Sequence, residues 1–347
     1  SPIAATLEEV TTQWLRDLLG LPETVEAGFV TGATMANFSG LAAARHALLD
    51  RLQWDVEARG LFDAPALTVV VGDEVHTSVL KALSLLGLGR ERVIRVPADG
   101  QGRLRAEALP ALGPSTIVCV QAGNVNTGAF DPIGEVCARA RAAGAWVHVD
   151  GAFGLWAAAA PARAHLAAGM AEADSWATDA HKWLNVPYDS GLVFCRYPEA
   201  LRAAMTLHRA AYLVQGDRRE PYGYTPEASR RARGIEVWAA LRSLGRHGIA
   251  DLVERTCRLA RRFAEGLAAA GHEILNDVVL NQVMVSFGDP ERTRRVTAAI
   301  QEDGTCWCGG TVWQGRTAMR ISVSSWATTE ADVDASIAAI VRAAARG

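Results

Sequence analysis

The run ADSWATDAHKWLNVPYDSG, residues 173–191, holds Lys182, one of only two lysines in the chain. Lysine and arginine together number 35, so almost every basic position is filled by arginine. A lysine flanked by His181 and Trp183 in a mostly uncharged run therefore asks for a reason. The two cations differ chemically. A lysine amine loses its proton when buried and attacks carbonyls, whereas a guanidinium stays charged. Lys182 is thus a candidate for amine chemistry, set against the plainer reading of a solvated loop lysine. The other lysine, Lys81 in TSVLKALSLLG, sits in a helical pattern and reads as a surface or snorkelling residue.

Outward from this run, apolar segments alternate with helical ones. ALTVVVG (66–72), RVIRVP (92–97), STIVCVQAG (115–123), AWVHVDGA (145–152), DSWAT (174–178) and SGLVFCR (190–196) read as strands. Residues 7–20 and 34–50, HTSVLKALSLLG and PIGEVCARARAAG read as helices. Continuous rather than alternating apolar strands between helices predict a mostly parallel sheet covered on both faces. After about residue 235 the texture changes. A long helical region (235–270), strands in 278–288 and 316–326, and a closing helix capped by Thr328, Thr329 and Glu330 predict a small α+β domain. The division is thus a large α/β domain over 1–234 and a small C-terminal domain over 235–347.

The composition describes an ordinary globular chain of 347 residues, 50% hydrophobic and 21% charged, with net charge −3. No basic excess points to nucleic acid. No apolar run reaches the ~18 residues of a membrane span, and no cleavable signal pattern opens the sequence. The six cysteines are scattered and read as reduced core residues of a cytoplasmic protein. Cys306 and Cys308 lack companions at ligand spacing, so no metal site is expected.

In open α/β sheets ligands bind beyond the carboxyl ends of the strands. Past 66–72 come Asp73, Glu74 and His76; past 115–123 come Asn124, Asn126 and Thr127; 145–149 ends on Asp150, Gly151 and Ala152; DSWAT is followed by Asp179, His181 and Lys182. TGAT, residues 31–34, stands before the second helix. Taken singly, a lone Asp at a strand end is usually a turn residue, a lone His a structural one, and TGAT a common helix start. Together the set suits pyridoxal phosphate. Lys182 would form a Schiff base with its aldehyde, and Asp150 would keep the ring nitrogen protonated so that the ring withdraws electrons. TGAT would offer phosphate the free N–H groups of a helix N-terminus. His76 would stack on the ring and Ala152 would pack on its other face. No G-x-G-x-x-G follows the first strand, which disfavours a nicotinamide dehydrogenase.

HVDGAFG, followed about thirty residues later by DSWATDAHKWL, resembles the group II pyridoxal-phosphate-dependent amino acid decarboxylases, the aromatic-amino-acid, tyrosine and glutamate decarboxylases among them. SPIAATLEEVTTQWL, GFVTGATMANFSGLAAAR, GDEVHTSV and AGNVNTGAFDP are similar to family blocks in family order, so the resemblance covers nearly the whole chain. It implies the fold type I transferase architecture with a seven-stranded sheet, and decarboxylation of an aromatic or acidic L-amino acid. It also implies a homodimer with sites at the subunit interface; ten tryptophans in need of burial point the same way.

By this resemblance Lys182 is the Schiff-base lysine, Asp150 the pyridinium partner, His76 the stacking histidine and Ala152 the small residue opposite. Ala33 and Thr34 match phosphate contacts, and His181 and Asp179 help seat the phosphate. Asn126, where some members carry Thr, falls near the ring hydroxyl. Tyr222 and Tyr224 lie in the stretch near 212–230 that matches the catalytic loop, where a tyrosine reprotonates Cα. Arg320 is a candidate for binding substrate, and Arg233 reads as surface charge. Family members usually carry an upstream segment that embraces the partner, and this sequence begins at a point internal to that pattern. A carbon–carbon lyase of the sphingosine-phosphate-lyase kind, which shares an Asp-x-His-Lys signature, is the rival activity. An inactive homologue acting as a binding module is disfavoured by intact Lys182, Asp150 and His76.

Overall fold

The computed structural model describes residues 1–206 and 219–346. In chain order the large unit contains α1 (Pro2–Leu19), β1 (Glu26–Val30), α2 (Ala33–Arg51), α3 (Val56–Arg59), β2 (Thr68–Gly72), α4 (Thr77–Leu85) and β3 (Ile94–Val96). It continues with β4 (Thr116–Gln121), α5 (Ile133–Ala143), β5 (Trp146–Asp150), β6 (Ser175–Asp179), β7 (Gly191–Cys195) and α6 (Pro198–Met205). The C-terminal part comprises α7 (Gly234–Ala269), β8 (Glu273–Ile274), β9 (Gln282–Ser286), α8 (Pro290–Asp303), β10 (Gly309–Trp313), β11 (Arg316–Ser322) and α9 (Glu330–Arg346).

The first seven strands form one sheet in the order β1-β7-β6-β5-β4-β2-β3. Only β7 runs against its neighbours β1 and β6; the other pairings are parallel. This is the mostly parallel seven-stranded sheet expected for fold type I. β4 to β7 are buried at every position. Along β2 and β4, alternate residues face opposite layers: Val70 and Val118 join α1, α5 and the first half of α7, whereas Val71 and Ile117 join α2, α4 and α6. Removing a Val or Ile of this kind from water contributes about 1.5–3 kcal/mol, which explains the absence of polar/apolar alternation in the strands.

The second sheet, β10-β11-β9-β8, is antiparallel and packs against α8 and α9. α7 serves both units. Val237 to Cys257 pack on the large core and Leu259 to Leu267 on the small one, with a break at Gly245, whose φ of 60° an L side chain rarely adopts. α9 starts as its sequence suggests: Thr329 and Asp332 exchange hydrogen bonds across its first turn.

Four of the ten tryptophans are fully buried within the chain, and each finds an acceptor for its indole N–H. Trp146 donates to Ser175, Trp156 to the Asp179 carbonyl, Trp176 to the Met170 carbonyl and Trp183 to Thr256. The tryptophans therefore need no partner subunit as a group; Trp14, Trp307 and Trp326 are the exposed ones. Lys81 is exposed on α4. Among the described residues no helix is long and apolar enough to cross a membrane, and no cluster of His, Cys, Asp and Glu could hold a metal ion.

Candidate active site

The carboxyl ends of β1, β2, β4, β5 and β6 open on one edge of the sheet, and the residues just past them meet there. The turn from β1 into α2 passes directly over the start of β7. A Cβ on Gly191 would lie 2.4 Å from the Gly32 Cα, so only glycine lets the two backbones touch. That contact brings the N-terminus of α2 to the end of β6. The Ala33 N–H donates to Asp179 Oδ1 at 2.5 Å.

Asp179 organises this corner. Its Oδ2 lies 2.9 Å from the Lys182 ammonium, and its Oδ1 lies 3.4 Å from His181 Nε2. The Asp179 N–H in turn donates to the Ala152 carbonyl, which ties the end of β6 to the turn after β5. His181 accepts the Ser190 N–H on Nδ1 and stacks on Tyr188 with ring centroids 4.1 Å apart. Burial holds the His181 pKa below the usual imidazole range, against the pull of Asp179.

Asp150 ends β5 and is buried. Its Oδ1 accepts the Ala152 N–H at 3.2 Å, and its Oδ2 accepts Asn37 Nδ2 at 3.1 Å with Ser78 Oγ at 3.4 Å. Burial raises its pKa, while the charges of His76 and Lys182 pull the other way. His76 caps α4. Its Nδ1 accepts the Ser78 N–H, so a neutral ring carries its proton on Nε2. Ser78 Oγ, 2.8 Å from that Nδ1, joins the histidine to the Asp150 cluster.

A cleft of about 720 Å³ beside this cluster is lined by Glu74, His76, Asn126, Trp313 and Gln314, among others. The β10–β11 hairpin closes one wall, because Trp313 Nε1 and Gln314 Nε2 both donate to Glu74. Asn126 Oδ1 accepts Thr311 Oγ1 at 3.0 Å. Arg320, on β11, donates to the Val125 carbonyl at 2.7 Å; burial lowers its pKa, and no described carboxylate forms an ion pair with it.

The expected residues thus fall into two linked groups: Lys182, Asp179, His181 and Ala33 at one corner, and Asp150, Ala152 and His76 at the other. Thr34 is half-buried in the first turn of α2. Of the stretch near 212–230, residues 212–218 lie outside the described residues. Tyr222 and Tyr224 occupy a short 3-10 turn, and Tyr224 is buried with the Arg219 guanidinium 3.8 Å above its ring. Arg233 requires a correction: it is buried, not a surface charge, and pairs with Asp189 at 2.9 Å. Sequence reasoning passes over Asn37 and Ser78, while Glu74, one of the residues past β2, proves to anchor the β10–β11 hairpin. Asn37 is a polar residue inside an otherwise apolar helix face, which was the available signal.

The arrangement fits pyridoxal phosphate. Asp150 Oδ1 keeps lone-pair capacity for a ring N–H, because Oδ2 takes the two side-chain donors. Ala152 and His76 border the carboxylate, and Lys182 lies on the adjoining strand end. Asp179 is itself anionic, so its help to a phosphate is indirect: it fixes His181, Lys182 and the first turn of α2.

The buried His148 of β5 gives a pH test. Burial pushes its pKa down to about 3. The folded chain therefore refuses a proton that the unfolded chain accepts near pH 6.5, so stability is complete above that pH and is lost as pH falls toward 3. At pH 4.5 the loss from this residue is expected to be ~3 kcal/mol. Urea unfolding of the parent and His148→Gln at pH 7.5 and 4.5 checks it: the variant should lose less stability between the two pH values than the parent does.

Residues 1–287 match the pyridoxal-dependent decarboxylase conserved domain. The aromatic-L-amino-acid decarboxylase of Bacillus atrophaeus is 28% identical over 281 residues, covering 77% of this chain and 56% of that protein. The tyrosine decarboxylase of Oryza sativa subsp. japonica is 31% identical over 282 residues, covering 76% of this chain and 52% of that protein. The chain thus spans about half the length of these curated relatives. The crystal structure of Oryza sativa TDC with PLP and tryptamine superposes with a TM-score of 0.90 over all of this chain and 77% of that one, at 22% identity, and so shares its fold.

Proposed function

Because the chain belongs to the pyridoxal-dependent decarboxylase family, we propose that it removes CO₂ from an aromatic or acidic L-amino acid and releases the amine. The observation that carries this reading is the placement of the Lys182 ammonium and the Asp150 carboxylate at the ends of adjacent parallel strands, with His76 and Ala152 beside them. When bound, the cofactor's pyridine ring takes up the electrons of the bond broken at the substrate's Cα.

Everything else falls to side chains of this protein. Lys182 would hold the cofactor through its aldehyde carbon. Asp150 would keep a proton on the ring nitrogen. His76 would lie against one face of the ring and Ala152 against the other. Thr34 and the N-terminus of α2, with His181, would seat the phosphate; Ala33, whose N–H is held by Asp179, would border it; and Asn126 would stand near the ring hydroxyl. Arg320, half-buried without a carboxylate of its own, is suited to holding an anionic group of the substrate. Its contact with Val125 aims it at the loop that carries Asn126. A hydroxyl of the Tyr222–Tyr224 turn returns the proton to Cα. The assembly is a cytoplasmic homodimer with its sites at the subunit interface.

Purified protein supplied with pyridoxal phosphate should turn yellow, and borohydride should fix the cofactor on Lys182, as read by peptide mass. A panel of amino acids, with CO₂ and amine measured together, then identifies the substrate. A colourless protein that takes up no cofactor overturns the reading. Release of an aldehyde from a phosphorylated amino alcohol, without CO₂, assigns the rival lyase activity.

A further inference from the structure

Behind Asp150 a line of buried polar side chains runs across the sheet. Asn37, His148, Ser175 and Trp146 are each at most 1% exposed. Their hydrogen-bonding roles follow one from another, starting at the carboxylate. Asp150 Oδ2 only accepts when ionised, so Asn37 must turn its NH₂ toward it, at 3.1 Å. The same NH₂ reaches Ser78 Oγ at 3.1 Å. Asn37 Oδ1 then faces away and meets His148 Nε2 at 2.9 Å. An amide oxygen cannot donate, so the imidazole proton is on Nε2. Nδ1 is left as a lone pair, 2.8 Å from Ser175 Oγ, and must receive the hydroxyl proton. Trp146 Nε1, a donor only, closes the line on Ser175 Oγ at 2.9 Å.

Every donor in this line points toward Asp150. Each group's proton position is fixed by the next, so reversing the Asn37 amide would set its oxygen against a buried carboxylate. Aligned dipoles of this kind polarise one another and favour an anion that burial alone would protonate. The neutral, unprotonated Nδ1 agrees with the depressed basicity of His148. Space for the ring is built into α2: a Cβ on Gly40, three residues from Asn37, would lie 2.7 Å from His148 Cε1.

We propose that Trp146, Ser175, His148 and Asn37 form a positioning relay that keeps Asp150 ionised and leaves its Oδ1 directed at the nitrogen of a bound pyridine ring. The proposal rests on the cofactor reading above. None of the four is a catalytic residue; they act through Asp150.

Two measurements test it. In the cofactor-free full chain, ¹⁵N NMR of His148 should show the Nε2–H tautomer, without titration between pH 5 and 9. In the holoenzyme loaded with pyridoxal phosphate labelled at the ring ¹⁵N, the parent should show a protonated nitrogen at neutral pH. His148→Phe keeps a ring but lets the Asn37 amide reverse. It should shift the label toward the unprotonated value and lower kcat about ten- to hundred-fold, with KM little changed. His148→Gln, which can donate to Asn37, should recover most of both signals. If His148→Phe does not fold, Ser175→Ala, which removes one oxygen, should shift the label and kcat in the same direction by a smaller factor. A His148 that titrates or carries its proton on Nδ1 overturns the relay. So does a folded His148→Phe or Ser175→Ala holoenzyme with parental ring protonation and kcat. Failure to take up the cofactor defeats the function reading instead, and the tautomer measurement then still reports whether the hydrogen-bond line exists.

Discussion

Lys182→Arg is expected to lower turnover by about 10⁴-fold or more, as severely as Lys182→Ala. The arginine variant is the more informative of the two. It keeps a cation near Asp179, whose Oδ2 lies 2.9 Å from the lysine nitrogen, and so preserves the charge balance at the N-terminus of α2. What it removes is the ability to shed a proton and bond to carbon, because the guanidinium stays protonated in proteins. Both variants should fold with the parent's thermal transition and bind pyridoxal phosphate only reversibly, leaving no cofactor attached after borohydride. Amine release by Lys182→Arg above a tenth of the parental rate would show that Lys182 acts only through its charge.

Lys182 stands out by composition, as one of two lysines among 35 basic residues, whereas the fold is readable from its apolar runs. β4, β5, β6 and β7 are continuous apolar runs because both faces of the sheet are covered, and such runs are visible without knowing what covers them. Three strands are missed in the sequence, the two-residue β8 among them; β1 carries Gly28 in its middle, which weakens the strand signal. The structure shows why glycine is there: a Cβ would lie 2.1 Å from the Tyr224 carbonyl oxygen, a neighbour nearly two hundred residues away. β10 begins with Gly309 and Gly310 and escaped notice for the same reason.

The site divides along similar lines. Residues placed by strand ends, such as Asp150, Ala152, Asp179 and Lys182, could be found because the end of an apolar run is a local mark. Residues defined by remote partners could not. Asn37 meets His148 across 111 positions. Arg233 pairs with Asp189 across 44, and in an arginine-rich sequence nothing nearby separates a buried guanidinium from a solvated one. The helix α7 was visible as a long periodic segment, but its division between two cores depends on what packs against each half.

The loop tyrosines carry the remaining large effect. Tyr224 is committed to packing. Arg219 lies over its ring and pairs with Glu8 of α1 and Glu26 of β1, and burial raises the pKa of its hydroxyl. Such a group is poorly suited to giving up a proton in each cycle. Tyr222, two residues earlier in the same 3-10 turn, is only half-buried. Tyr222→Phe is therefore the variant expected to lower amine formation, by about 10²–10⁴, the usual worth of a positioned general acid. It removes one oxygen and little volume, so cofactor uptake and thermal stability should match the parent. CO₂ release should fall less than amine release, because the acid acts after the carboxylate has left, and the difference should appear as a carbonyl product matched one to one by cofactor recovered as pyridoxamine phosphate, which carries away the amino group and the two electrons. Tyr224→Phe, by contrast, should keep the rate within about three-fold, since its ring and the stacked guanidinium stay in place. Parental amine yield from both variants would move the proton donor elsewhere, with His76, whose Nδ1 is taken by the Ser78 N–H, as the next group to replace.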